Sequence, residues 1–134
     1  MSYIPRLEAP DVATNPYYRQ IWRGGYNHCS IPMPNCTFFA TGRFMEAMGA
    51  DSCTLADLNA GEYWGYTQDG YERGQTPQLG AVICWRRPGA AGHVAIVEQI
   101  NSDGSIVTSN SAYNSTFFPD YMPPSHCHIF ATRP

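Results

Sequence analysis

No run of apolar residues in this chain is long enough to span a bilayer or to form the core of a secretory leader, and the opening Met1-Ser2-Tyr3-Ile4-Pro5 is polar. The expectation is a chain made in the cytoplasm, without a membrane span or leader. Charge is also scarce. Only 14% of residues are charged, the net charge is −3, and no basic block occurs, which excludes nucleic acid as a partner class. The five cysteines, Cys29, Cys36, Cys53, Cys84 and Cys127, include no C-x-x-C pair, which argues against a structural zinc site. Their odd number leaves at least one thiol unpaired, with Cys36 expected to be that one. Internal repeats and low-complexity segments are missing too. What remains is one domain: 134 residues with an apolar fraction of 43% are enough for a single core and too few for two. Nine tyrosines, three tryptophans and eleven prolines fit a surface that stacks on sugar and peptide, and equally fit an aromatic core with proline-rich loops.

Residues 1–34 hold Pro5, Pro10, Pro16, Pro32 and Pro34 and read as irregular, with a short helix at 17–22 stopped by Gly24-Gly25. Asn35 then reads as the N-cap of a helix running to about Met48, with Gly49 as its stop. Phe39, Ala40, Phe44, Ala47 and Met48 recur at helical spacing and predict its buried face. Thr54 and Asp57 have capping-box spacing for a second short helix, and residues 62–77 predict a long surface loop. Beyond it the period becomes alternating. Strands are expected at 81–85, 92–100, 105–109 and 127–132, with Asp103-Gly104 as a hairpin turn. Helices first and an antiparallel sheet after them make an α+β fold.

Cys36 stands where a helix begins, and a thiol there is ionised more readily because the helix dipole and unbonded backbone N–H groups favour the thiolate. The alternative is a buried structural cysteine, the expected fate of Cys84 inside Val82-Ile83-Cys84-Trp85. His93, at the entry of Gly92-His93-Val94-Ala95-Ile96-Val97-Glu98, is the candidate general base, with His28 second. Asn110, on the following strand, can accept the imidazole N–H and orient the ring without adding charge. Glu98 stands an odd five residues from His93 and is expected on the other face. His126 and His128 share a strand face, yet no full ligand set accompanies them, so neither metal nor cofactor is expected. The Cys36 backbone N–H is one oxyanion donor; Asn35, Ser30 and Tyr26 are candidates for the second. Cys, His, Asn is the chain order of papain-like hydrolases.

These segments resemble the CHAP family of cysteine, histidine-dependent amidohydrolases and peptidases. Asn35-Cys36-Thr37 through Gly42-Arg43-Phe44 is similar to that family's nucleophile helix, and Gln75-Thr76-Pro77 through Trp85 to its Pro-x-x-Gly-Ala-Val-x-x-Trp strand. Residues 92–98 resemble the histidine strand and residues 104–113 the strand carrying the third polar residue. Two departures stand out. Many members have glutamate where Asn110 falls and asparagine where this chain has Ala112, so Asn110 would orient the base alone. Residues 17–34 contain no Asp or Glu, against the acidic calcium loop of some members.

The resemblance implies a papain-like fold, with N-terminal helices packed on an antiparallel sheet, and cleavage of an amide bond in peptidoglycan, in the manner of phage endolysins. It makes the chain a single catalytic domain over residues 1–134, without a separate wall-binding module, acting as a monomer on the wall after release. Asn35, Trp64, Tyr66 and Tyr113 are the candidate substrate contacts. The competing readings are a catalytically inert wall-binding module on the same fold, gripping glycan with the aromatics of residues 63–71, and a papain-like deamidase or transglutaminase.

Overall fold

A computed structural model of the chain describes residues 3–11, 14–19, 36–49, 74, 76–85, 93–111 and 117–122. Two helices, α1 (Pro16–Arg19) and α2 (Cys36–Met48), precede four strands, β1 (Val82–Trp85), β2 (His93–Ile100), β3 (Ile106–Ser111) and β4 (Phe117–Met122). The strands form one antiparallel sheet in the order β1-β2-β3-β4. Helices first and this sheet after them give the expected α+β, papain-like arrangement.

The ends of α2 follow from its flanking residues. Gly49 stops it with φ at +67°, a left-handed conformation that costs an L side chain energy, and its N–H bonds the Glu46 carbonyl at 3.2 Å. Gly42 is needed for a different reason: a Cβ there would lie 2.9 Å from the Tyr18 ring and 3.1 Å from the Tyr17 carbonyl. The glycine thus lets α1 lie directly against α2. α1 itself is capped by Asn15, whose Oδ1 accepts from the Tyr17 N–H at 3.0 Å, with Pro16 in the first helical position where its missing N–H costs nothing. It covers only the front of the helix expected at 17–22, whose remainder lies outside the described residues.

The buried part of α2 is not the single stripe that its spacing predicts. Phe39 and Ala40 through Met45 are all buried, whereas Ala47 and Met48 are only half-buried. Elements pack on more than one side of the helix, so Thr41 and Arg43 are enclosed along with Phe39 and Phe44. Tyr18 stacks on Phe39 at 5.5 Å between ring centroids, and Phe117 of β4 meets Phe39 edge-on at 5.6 Å. A second apolar cluster, Ala81, Ile83, Ala95, Val97 and Ile106, belongs to the sheet.

β2 and β3 join through residues 101–105, around the expected Asp103-Gly104 turn. Gly104 takes φ of +89°, its N–H bonds the Asn101 carbonyl at 3.0 Å, and Asp103 Oδ1 accepts from the backbone and hydroxyl of Ser105. Those bonds hold the Asp103 carboxyl below its ordinary range. The register then shifts by one between Val97 and Gln99, a bulge centred on Glu98. β3 runs on to Ser111, beyond the expected end at 109, so Asn110 lies within the strand. β4 was not expected, because Pro119 at its middle reads against a strand. It pairs only with β3 among the described strands, an outer position that tolerates a missing N–H. The expected strand at 127–132, the helix from Thr54 and most of the 62–77 loop lie outside the described residues.

Candidate active site

His93 opens β2 and Asn110 lies near the end of β3. The register that pairs Ile96 with Ser109 sets both their side chains on the same face. The result is a contact of 2.9 Å between His93 Nε2 and Asn110 Oδ1.

The direction of that bond can be worked out from its surroundings. Asn110 is buried, and its Nδ2 lies 3.2 Å from the Phe118 carbonyl and 2.9 Å from Thr108 Oγ1. A carbonyl only accepts, so the amide nitrogen must face Phe118 and the amide oxygen must face His93. An amide oxygen also only accepts, so Nε2 of His93 carries the hydrogen. In the neutral ring the lone pair then belongs to Nδ1, which is the nitrogen able to take a proton. The Phe118 ring stacks on the imidazole at 6.4 Å with 16° between planes. β4 therefore holds the pair twice, by its ring and by its backbone.

Cys36 is the first residue of α2, the position where the dipole favours an anion. Its side chain lies outside the described residues. So do Asn35, Trp64, Tyr66 and Tyr113, the oxyanion candidates Ser30 and Tyr26, and His28, His126, His128, Cys29, Cys53 and Cys127. Cys84 is buried in β1. Among the described residues no group of His, Cys, Asp and Glu could hold a metal ion, and no helix is long and apolar enough to cross a membrane.

Glu98 belongs to a different centre. Its Oε2 accepts from Arg43 Nε at 2.7 Å and from the Ser109 hydroxyl at 2.6 Å. Its Oε1 accepts from Arg43 Nη2, the Tyr3 hydroxyl and the Arg6 backbone N–H, at 2.9, 2.8 and 2.9 Å. Arg43 continues to Glu46, which also receives the Arg6 guanidinium, the Asn15 amide and the Tyr18 hydroxyl. Burial pushes the Glu46 carboxyl up, but the hydrogen bonds from Arg6, Asn15 and Tyr18 outweigh it and bring it down to about 2. Burial, then the charge of Glu98, pushes the Tyr3 phenol up, which keeps its proton available to Glu98. This knot ties the N-terminal arm, α1, α2, β2 and β3 together. The sequence did carry one signal for it: Arg43 sits inside the apolar face of α2, and an enclosed guanidinium must find a carboxylate.

An antiparallel sheet behind a helix that begins at Cys36, with His93 joined to Asn110 across β2 and β3, makes an α+β domain of papain-like architecture. The CHAP domain family model matches residues 24–112, more than half of the chain, and the chain belongs to that family. It is 34% identical over 91 residues to the "Probable autolysin SsaALP" of Staphylococcus aureus (strain NCTC 8325 / PS 47), covering 66% of this chain and 33% of that protein. A "Putative hydrolase" of Streptococcus mutans serotype c (strain ATCC 700610 / UA159) is 35% identical over 69 residues, covering 46% of this chain and 32% of the other. The chain thus spans about a third of the length of these relatives. Its fold is similar to that of a solved N-acetylmuramoyl-L-alanine amidase from Staphylococcus aureus. The TM-score is 0.61 at 22% identity, over 95% of this chain and 41% of that one.

Proposed function

We propose that the domain hydrolyses an amide bond of peptidoglycan with Cys36 as nucleophile, His93 as general base and acid, and Asn110 as the residue that orients His93. The observation that carries this is the fixed direction of the Asn110 amide. It leaves Nδ1 of His93 as the basic nitrogen and adds no charge to the ring. Membership of the CHAP family and likeness to a protein named an autolysin support the wall as substrate.

In the reaction, His93 Nδ1 takes the Cys36 thiol proton and the thiolate attacks the amide carbonyl carbon. The Cys36 backbone N–H, which has no intrahelical partner at the helix start, stabilises the oxygen of the tetrahedral intermediate. His93 returns the proton to the leaving nitrogen, and the acyl group stays on Cys36 as a thioester. Water, deprotonated by the same Nδ1, then releases the acid and regenerates the thiol. No step calls for a metal or cofactor. Asn35, Trp64, Tyr66 and Tyr113 are the proposed substrate contacts. The protein would work as a monomer at the cell wall, in the manner of a phage lysin.

The test is incubation with purified Gram-positive walls, followed by mass spectrometry of the released muropeptides. The wild type is expected to clear the suspension and free new amino ends. Cys36→Ser keeps the side-chain size but lacks an accessible anion, and is expected to do neither. Sedimentation with walls without clearing would make the domain a binder, and lysis by Cys36→Ser at the wild-type rate would remove the thiol mechanism.

A further inference from the structure

Behind Asn110 the hydrogen bonds continue in one direction. The Thr108 hydroxyl lies 3.3 Å from the Asp120 carbonyl, which only accepts, so its hydrogen points there and a lone pair is left for Asn110 Nδ2 at 2.9 Å. Thr108 is fully buried, and it pairs with Asp120 as Asn110 pairs with Phe118. The Asn110 amide is thus gripped by two acceptors, one hydroxyl and one carbonyl. Every donor in the series points away from His93, and the series ends on the Phe118 and Asp120 carbonyls of β4.

From this geometry we propose that Thr108 is a positioning residue for His93. It holds the Asn110 amide with its oxygen toward Nε2–H and so keeps the basic lone pair on Nδ1. The proposal rests on the reading of His93 as the base, and it extends the site to a residue that touches neither substrate nor imidazole. A valine at 108 has the same shape without the oxygen. The Asn110 amide would keep the Phe118 carbonyl as its remaining acceptor and gain freedom to rotate. The change acts on the orientation of the base, so turnover falls while substrate binding does not.

The experiment combines imidazole-¹⁵N NMR of the full chain with turnover on purified walls, for wild type, Thr108→Val and Thr108→Ser. In the wild type the proton is expected on Nε2, protected from exchange with water. In Thr108→Val that proton exchanges faster and kcat falls, each roughly five-fold, the worth of one neutral hydrogen bond, with KM unchanged. Thr108→Ser restores the hydroxyl and is expected to return both to wild-type values. Should the valine variant not fold, Thr108→Ala serves in its place, with the same expectation. Wild-type Nε2–H exchange and kcat in the hydroxyl-less variant would overturn the positioning role, as would a fall in kcat that serine does not rescue. A wild type that frees nothing from walls would instead overturn the hydrolase reading alone, and the NMR arm would still decide whether Thr108 orients the ring.

Discussion

Ser109 and Asn110 are neighbours on β3, and their side chains leave opposite faces of the sheet for two different electrostatic settings. Ser109 donates to Glu98, inside a knot of Arg43, Glu46, Arg6, Tyr3 and Tyr18. Asn110 accepts from His93, inside a set of uncharged groups. The knot shifts the Glu46 carboxyl, the Arg6 and Arg43 guanidiniums and the Tyr3 and Tyr18 phenols, yet its donors and acceptors are already used on one another. A saturated charge has nothing left to offer a substrate. The imidazole is the reverse case, held at Nε2 by an amide that cannot ionise and adds no charge to the ring.

The first way to break this division is to exchange the consequences. His93→Ala is expected to abolish wall lysis while leaving the unfolding temperature within a degree or two of wild type. Arg43→Met should do the opposite. It leaves Glu98 buried without its cation, for a loss of about 3–5 kcal/mol of stability, and the molecules still folded should lyse walls at the wild-type rate. Denaturant unfolding and lysis per folded molecule, measured on both variants, decide the matter. Loss of activity in folded Arg43→Met would show that the two centres are coupled through β2 and β3.

Asn110 sharpens the comparison at a smaller scale. Asn110→Ala should lower turnover by on the order of 10- to 100-fold, less than the loss of the whole acid–base function, because the thiolate–imidazolium pair still forms without an orienting partner. Asn110→Asp tests why the group is an amide. Chemistry alone suggests that a carboxylate would hold the imidazolium and keep the rate. The surroundings argue otherwise, since its second oxygen would face the Phe118 carbonyl, where the amide donates at 3.2 Å. The carboxyl must be protonated to keep that contact, so the pH–rate profile of Asn110→Asp is expected to move toward acid. A profile that moves toward alkali with the full rate would mean that the donors of Asn110 matter little.

The two centres were unequally legible in the sequence. The helix at 36–48 and the strand bearing His93 follow from local patterns, a helical spacing and an alternation. The face that His93 shares with Asn110 depends instead on the register shift between Val97 and Gln99, which no local pattern announces. The knot is not local either, because Arg43 and Glu98 are 55 residues apart and nothing near either one names the other. Only the enclosure of a charge by apolar neighbours hinted at a partner. β4 was hidden by Pro119, and with it went the Phe118 carbonyl and ring that complete the surroundings of Asn110. The residue could be read as an orienting group, but not as one held by a strand that the chain reaches later.

The smallest expected effect concerns acid and isolates the knot from the site. In the folded protein the Glu46 carboxyl is held at about 2, against an ordinary value of 4.5. Between those values the unfolded chain binds a proton that the folded one does not, so stability falls as the pH is lowered. The contribution of Glu46 is full above about 4.5 and disappears as the pH passes below about 2. Glu46→Gln removes the titration, keeps an acceptor for one of its donors, and leaves Arg43 bound to Glu98. It should be less stable than wild type at neutral pH and should lose less stability on acidification through this window. Because Glu46 is partly solvent-exposed, screening reduces the size of the difference. Thermal unfolding at several pH values, for wild type and Glu46→Gln, reads the difference in slope. Parallel curves would mean that another carboxyl dominates the acid response. A change in the pH–rate profile of lysis would mean that the knot reaches His93 after all.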